Sequence, residues 1–246
     1  MADAEAKVDI SRVLNNTFGV IGRNPVVFLG LSFLIVGLPN ALFQTAQGTW
    51  TTGSAGFNFS ANYSAQGLEF ILLMLLSVLL QATLIVATIN DLAGKQFSFS
   101  DCLSKALHKL LPLIGLGILF SIGISIGFVL LVVPGVILYL MWIVSAPAMM
   151  SEDLGVIDSM KRSAELTSGS KRMIFVLMLV YVVLAFVLGL FIAFFGSIST
   201  IFLAVATIAV STITGALQGA GIASIYVDLR TAKEGTDTSS LAEVFS

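Results

Sequence analysis

Charge is what this sequence has least of. Asp, Glu, Lys and Arg make up 11% of its 246 residues, against about 25% in an ordinary soluble domain. Twelve Lys and Arg with fourteen Asp and Glu cannot cover a water-soluble protein of this size. A net charge of −2 supplies no basic field, which excludes nucleic acid as a partner. Cysteine is nearly absent: Cys102 stands alone and cannot close an internal disulfide, so a disulfide-stapled secreted scaffold is excluded. Histidine is represented only by His108, and one His beside no Cys or carboxylate cluster cannot build a zinc site. No catalytic residue, no metal site and no cofactor are therefore expected.

What the chain does have is apolar residues, 57% of the total, against roughly 45–50% in soluble domains. They gather in six stretches free of charge, at 25–43, 70–89, 110–133, 136–150, 173–195 and 201–227. A helix needs about 20 such residues to cross roughly 30 Å of hydrocarbon. Strand-like alternation over ten-residue segments, the mark of a transmembrane barrel, does not occur. The expected fold is all-α: one integral membrane domain over residues 1–246 with six transmembrane helices. Met1 to Ile10 lacks the apolar core of a cleavable signal peptide, so the first stretch is expected to direct insertion itself.

The fourth stretch, at 15 residues, is the shortest, and at 1.5 Å per residue it reaches only about 23 Å. A spanning pair and a re-entrant hairpin with the third stretch both return the chain to the same side. The length of the third favours spanning, with Pro134 and Gly135 forming the turn at the far surface. Pro147 is expected to kink the fourth helix by leaving the carbonyl of Ile143 without its helical partner.

The basic residues are distributed on one side only. Lys7, Arg12 and Arg23 precede the first stretch; Lys95, Lys105 and Lys109 lie between the second and third; Lys161, Arg162, Lys171 and Arg172 lie between the fourth and fifth; Arg230 and Lys233 follow the sixth. The alternate connections, 44–67, Pro134–Gly135 and 196–200, contain none. Cytoplasmic loops retain basic charge, so both termini are predicted to be cytoplasmic. On that side three segments carry helical periodicity and read as interfacial helices: 9–22 with Ile10, Leu14, Thr17, Phe18 and Ile21 on one face, 98–109 with Phe99, Leu103, Ala106, Leu107 and Leu110, and 155–168 with Ile157, Met160 and Ala164. Each precedes a pair of apolar stretches, so the chain reads as three units of interfacial helix plus hairpin. Ser98 with Asp101 has capping-box spacing.

Gln81 and Gln218 are the only strongly polar side chains inside the stretches. They are expected to hydrogen-bond across helices or to line a small polar site, while Glu69 and Asp91 read as solvated boundary residues. Small residues recur every four positions at Ser211, Gly215, Gly219 and Ala223, at Gly123 and Gly127, and at Ala185, Gly189 and Ala193. That spacing lets helix backbones approach closely, within the chain or between two copies, so membrane lipids and either a homo-oligomer or another membrane protein are the partners considered. Lys161, Arg162, Lys171 and Arg172 are candidate contacts to anionic headgroups. Cys102 reads as an inert thiol, with lipidation the alternative. The connection 44–67, rich in Ser, Thr, Asn and Gly with Trp50, Phe57, Phe59 and Tyr63 interspersed, suits the outer interface. Asn58 and Asn62 match a glycosylation pattern there, read as chance in a bacterial chain.

An ordered set of residues resembles a known family: Leu131-Val132-Val133-Pro134-Gly135, Ala146-Pro147-Ala148, Glu152, Gly155, Met160-Lys161-Arg162-Ser163, Leu166-Thr167 and Gly169, with Tyr226-Val227-Asp228-Leu229-Arg230 and Lys233-Glu234-Gly235 near the end. It is similar to the bacterial glycerophosphoryl diester phosphodiesterase membrane-domain family and related uncharacterised inner-membrane proteins. Relatives carry a basic residue where this chain has Met141-Trp142. The resemblance implies a multi-pass inner-membrane unit alone, because the chain has no room for a separate hydrolase barrel of about 250 residues. The first functional reading is a non-catalytic accessory or scaffold protein of envelope lipid homeostasis. The alternative is a transporter or lipid-handling protein for a neutral or amphiphilic substrate, using a lateral groove beside the kinked fourth helix and the two glutamines. An enzyme would need Glu152, Asp153 or Asp228 to converge.

Overall fold

The computed structural model describes residues 8–39, 41–42, 63–196 and 199–235. Within them every regular element is helical and no strand occurs. Five helices are long and apolar enough to cross a membrane: Ile71–Leu92, Leu110–Leu130, Val132–Glu152, Lys171–Phe194 and Ile201–Glu234. A bent pair near the start makes a sixth if counted as one span. The glycosylation matches at Asn58 and Asn62 and most of the 44–67 connection lie outside the described residues.

Helix α1, Ile10–Arg23, starts at Asp9, whose carboxylate accepts from the amides of Ser11 at 2.9 Å and Arg12 at 3.4 Å. The Ser11 hydroxyl and these two amides hold the Asp9 pKa below the usual carboxylate value. At Asn24 the chain bends by 90° into α2, Pro25–Ser32, which continues through a π-helical turn at Phe33–Gly37. Proline is suited to the first position of α2 because no helical partner awaits its missing N–H. The elbow is pinned by Asp91, which accepts from Arg23 and, at 2.7 Å, from the Asn24 side-chain amide. Asp91 is thus a structural anchor and not the solvated boundary residue that the sequence suggested.

Helix α3 runs over Tyr63–Leu92 and α4 over Phe99–His108. Helices α5, Leu110–Leu130, and α6, Val132–Trp142, form a hairpin that reverses at Leu131, which is extended at φ −168°. The fourth span therefore begins earlier than the sequence suggested. Pro134 is the third residue of α6, where its absent N–H costs nothing, and Pro134 and Gly135 are helical, not the turn. A break at Ile143 and Val144 leads into α7, Ser145–Glu152. With α6 and α7 counted together the span is 21 residues, which removes the shortfall. Helices α8, Val156–Thr167, α9, Lys171–Gly196, and α10, Thr200–Glu234, complete the chain.

Helix α10 is the axis. Leu80 of α3 lies beside Gly215, and Leu84 beside Gly219, so α3 and α10 run parallel along this contact. A Cβ on Gly219 would fall 2.6 Å from the Leu84 Cβ, so only glycine allows this approach. Ala216, Ala220, Ala223, Tyr226 and Leu229 are buried from the same helix. Ser32 lies beside Gly215, and Gly37 meets Thr212 and Ile208, so the first span runs antiparallel to α10. Over 34 residues the α10 span measures about 51 Å, well beyond the roughly 30 Å of hydrocarbon. Its last turns project past the bundle, and there α1 and α8 pack on it: Arg12 pairs with Asp228, and Arg162 with Glu234.

The three amphipathic helices occur where expected but bury different faces. In α1 the fully covered residues are Val13, Thr17 and Val20, and Phe18 points outward. In α4 they are Cys102 and Ala106, with Phe99 and Leu107 exposed. In α8 they are Ser159, Ser163, Leu166 and Thr167, and Ile157 is exposed. The physical reason is the same each time. Such a helix meets protein on one side and lipid on another, so apolarity does not say which side is covered. The Ser98 and Asp101 pair makes no capping bond; the Ser98 hydroxyl meets Ser100 at 2.8 Å.

Candidate functional site

The break between α6 and α7 frees backbone carbonyls in the middle of an apolar bundle, where an unpaired carbonyl is costly. Hydroxyls take them up. Ser145 donates to the Trp142 carbonyl at 2.7 Å, Ser163 to the Met141 carbonyl at 2.8 Å, and Thr167 to the same oxygen at 3.3 Å. On the covered face of α8, Ser163 thus serves the broken helix, while Ser159 and Thr167 also bond carbonyls of α8 itself, at 2.8 and 2.9 Å, and Leu166 joins the apolar core. Pro147 lies in the first turn of α7, so the bend falls just before it.

The bend opens two clefts. One, of about 290 Å³, runs between α6, α9 and α10 and is lined by Tyr139, Tyr181, Thr214 and Gln218 among apolar residues. The other, of about 240 Å³, lies between α3, α5 and α7 and includes Gln81, Phe120, Trp142 and Ser145. Ile143, Gln218 and Ile222 border both. A third hollow of about 560 Å³ continues from Phe120 and Tyr139 toward Phe128 and Val136. No ionised side chain lines any of the three.

Gln81 and Gln218, each expected to hydrogen-bond across helices or to line a small polar site, meet here, with the Gln81 Nε2 donating to the Gln218 Oε1 at 3.2 Å. The Gln81 Oε1 is buried with no partner. Gln218 is exposed toward the clefts.

At the charged end Glu152, Asp153, Asp228 and Glu234 each meet a cation, and Glu152 and Glu234 share Arg162. Glu152 accepts two bonds from the Arg162 Nε, at 3.0 and 2.8 Å, and one from the Tyr226 hydroxyl at 2.8 Å. Ser151 donates to Tyr226 in turn. Arg162 reaches Glu234, which also accepts from Arg230 at 2.8 Å. Burial disfavours the Arg162 charge, but its bonds to Glu234 and Glu152 outweigh that and push its pKa further up. Asp228 is fully buried and accepts from Arg12 and, at 2.9 Å, from the Asp9 amide. Asp153, in the left-handed region at φ 54°, pairs with Lys109. The carboxylates that an enzyme would have to share are thus divided among three ion pairs.

Arg162 is therefore committed inside the fold and does not project to headgroups as the sequence suggested. Lys161 is exposed, with Asp158 at 3.9 Å, and Lys171 and Arg172 begin α9 without an ion pair among the described residues. The His108 ring nitrogen Nδ1 lies 2.9 Å from the Ser104 carbonyl. Cys102 is buried, which pushes its thiol up to about 11 and removes it from a lipidating enzyme's reach. Among the described residues no three His, Cys, Asp or Glu side chains gather as a metal site.

The small-residue stripes divide. Gly219 and Ala223 pack in the core, whereas Gly215 has room for ordinary contact and Ser211 is half-buried, its hydroxyl bonded to the carbonyls of Thr207 and Ile208. In the hairpin, Gly127 faces the Gly135 backbone and Gly123 lies against the Trp142 ring. Gly189 of α9 has nothing within 4 Å, and Gly189 and Ala193 are exposed, while Ala185 of the same stripe lines the cleft between α6, α9 and α10. Sequence reasoning missed Ser163 and Thr167 as carbonyl partners and Arg12 with Asp228 as a lock between the two ends of the chain. The signal for the first was present: hydroxyls four apart on a helix of low apolar content.

Comparison with known proteins gives one match. No curated protein and no solved structure matches the chain. The matching family model runs from residue 62 to 218, covering α3 to α9, the broken helix and both glutamines. It provides no link to the glycerophosphoryl diester phosphodiesterase membrane domain. With nearly two thirds of its length matched, the chain belongs to the uncharacterised protein family UPF0259.

Proposed function

We propose that this is a non-catalytic, multi-pass protein of the bacterial inner membrane, with both termini cytoplasmic, that holds a neutral amphiphile in lateral clefts. The observation that carries it is the pair of uncharged clefts meeting at Gln218 beside the broken helix. A pocket of this kind suits apolar chains with one small polar group. The orientation rests on charge. Every described Lys and Arg lies on α1, α4 or α8, in the links beside them, or at the span ends that meet them, and such residues stay cytoplasmic. Native mass spectrometry from mild detergent tests the reading, with co-purified lipid as the expected result; protein free of any amphiphile would count against it.

An accessory or scaffold role in envelope lipid homeostasis is the second reading. It is favoured by α9, whose span is 11% buried and leaves a long apolar side for a second copy or another membrane protein as well as for lipid. Co-purified protein in the same experiment would support it. A kinship to the phosphodiesterase membrane domains remains a resemblance of motifs, and no hydrolytic activity is proposed from it.

A further inference from the structure

The clefts beside Gln218 do not exhaust the uncharged space. The hollow of about 560 Å³ between α5, α6 and α9 is lined by apolar side chains, two serines and Tyr139, with no ionised group. Of the three spaces it alone falls inside the usual small-molecule range of roughly 300–1,000 Å³. Its walls α5 and α9 are the least buried spans, at 17% and 11%, and Phe128 and Val182 beside it are exposed, so it opens sideways toward lipid. Tyr139 asks for a ligand there. Its hydroxyl has no partner among the described residues and, unlike the Gln81 Oε1, is not sealed from its surroundings. Ser121 and Ser125 lack partners too, but a serine can turn back onto its own helix, as Ser77 does to the Met74 carbonyl at 2.8 Å. A phenol at the end of a rigid ring cannot reach its own backbone. Tyr139 stands eight residues inside the reversal at Leu131, about 12 Å along the axis, where an unmet donor is costly. A phospholipid is held at the surface by its charged headgroup, so its ester carbonyls stay near the boundary, and no side chain of the hollow offers a counter-charge to draw that head inward. An uncharged lipid can bring a polar group to this depth. The ring draws on the oxygen lone pairs and makes a phenol a better donor than acceptor, so the matching group is a carbonyl.

We propose that the hollow between α5, α6 and α9 binds an uncharged lipid whose carbonyl accepts from the Tyr139 hydroxyl and whose chain lies along the groove toward Phe128. That chemistry is shared by prenylquinones and acyl esters, and the test separates them. The inference rests on the lipid-handling reading and adds a site beyond the Gln218 clefts. Its test is competitive retention on delipidated protein in detergent, read by native mass spectrometry. The probes are a benzoquinone with a ten-carbon chain, methyl oleate, oleyl alcohol, octadecene and phosphatidylglycerol. One of the two carbonyl probes is expected to be retained best of the five, and which one it is names the source. Tyr139→Phe should lower its retention about fivefold, the value of one hydrogen bond, and leave octadecene unchanged. Ser125→Trp, which fills the hollow away from Gln218, should abolish its retention. Ile222→Trp, which borders both Gln218 clefts and not the hollow, should leave it unchanged, with melting temperature confirming that each variant is folded. Best retention of the alcohol, the hydrocarbon or phosphatidylglycerol, or a carbonyl preference that survives Tyr139→Phe, would overturn the site. Retention that survives Ser125→Trp and is lost in Ile222→Trp would overturn it while leaving lipid in the Gln218 clefts. Retention of none of the five would overturn both readings.

Discussion

Helices α9 and α10 are both apolar enough to span a membrane, yet they serve opposite purposes. In α10 the segment from Ala216 to Leu229 carries the core, and Gly219 touches the Leu84 side chain. In α9 only 11% of the span is buried, and Gly189 has open space around it. Mean hydropathy orders the two the wrong way, with 3.0 for α9 and 1.8 for α10. In a bilayer the most apolar helix is the one facing lipid, because lipid tails are as apolar as any core. The helix at the centre is instead the one with small residues for close packing and polar residues for partners.

The comparison can be broken directly at its two glycines. Gly219→Leu should abolish recovery of folded, monodisperse protein, since the first added carbon already collides with Leu84 on a helix that cannot retreat. Gly189→Leu should leave yield and melting temperature unchanged. Equal behaviour of the two variants in size-exclusion chromatography would show that the assignment of centre and periphery is wrong.

A smaller effect is expected where α10 emerges from the bundle. Arg12→Met leaves Asp228 buried without its cation. Loss of one partner of a fully buried pair costs about 3–5 kcal/mol, and solvent reaching the half-exposed Arg12 lowers this to about 2 kcal/mol. A lower melting temperature in detergent, largely restored by adding Asp228→Asn, is the expected outcome. The pairing would be refuted by an Arg12→Met cost that is the same in the Asp228→Asn chain as in the parent.

Next in size is the broken helix. Ser163→Ala removes the best hydroxyl from the Met141 carbonyl, and Thr167 remains as a weaker partner. About 1 kcal/mol is expected for the single change and more for Ser163→Ala with Thr167→Val, read as faster amide exchange around Val144 and Ser145. The smallest effect concerns Cys102. With its thiol at about 11 instead of 9.0, alkylation at pH 8 should be slow in folded protein and rapid after denaturation. Between those values the unfolded chain gives up its proton first, so stability falls as pH rises through that window. Rapid alkylation without unfolding would place Cys102 at the surface.

Much of the fold was legible because lipid imposes a one-dimensional rule. Stretches such as 110–130 and 173–194 can be marked by the absence of charge alone, and the three amphipathic helices follow from their period. The bounds of the fourth span were less legible. Proline is read as a turn, yet in the first turn of a helix it is harmless, and the extended Leu131 that makes the reversal has no distinguishing chemistry. The site was half legible: Gln81 and Gln218 stand out in an apolar chain, but no pattern states that residues 137 positions apart meet.

Composition and charge placement alone settled that this is an all-helical chain with several membrane-length helices, since each can be counted without knowing a neighbour. Tertiary structure alone decided which helix is central, which face of α8 is covered, which carboxylate takes which arginine, and that a bent helix opens clefts at the amide pair. Those outcomes depend on distances between residues remote in the chain, and hydropathy is blind to them because protein and lipid offer an apolar side chain the same surroundings.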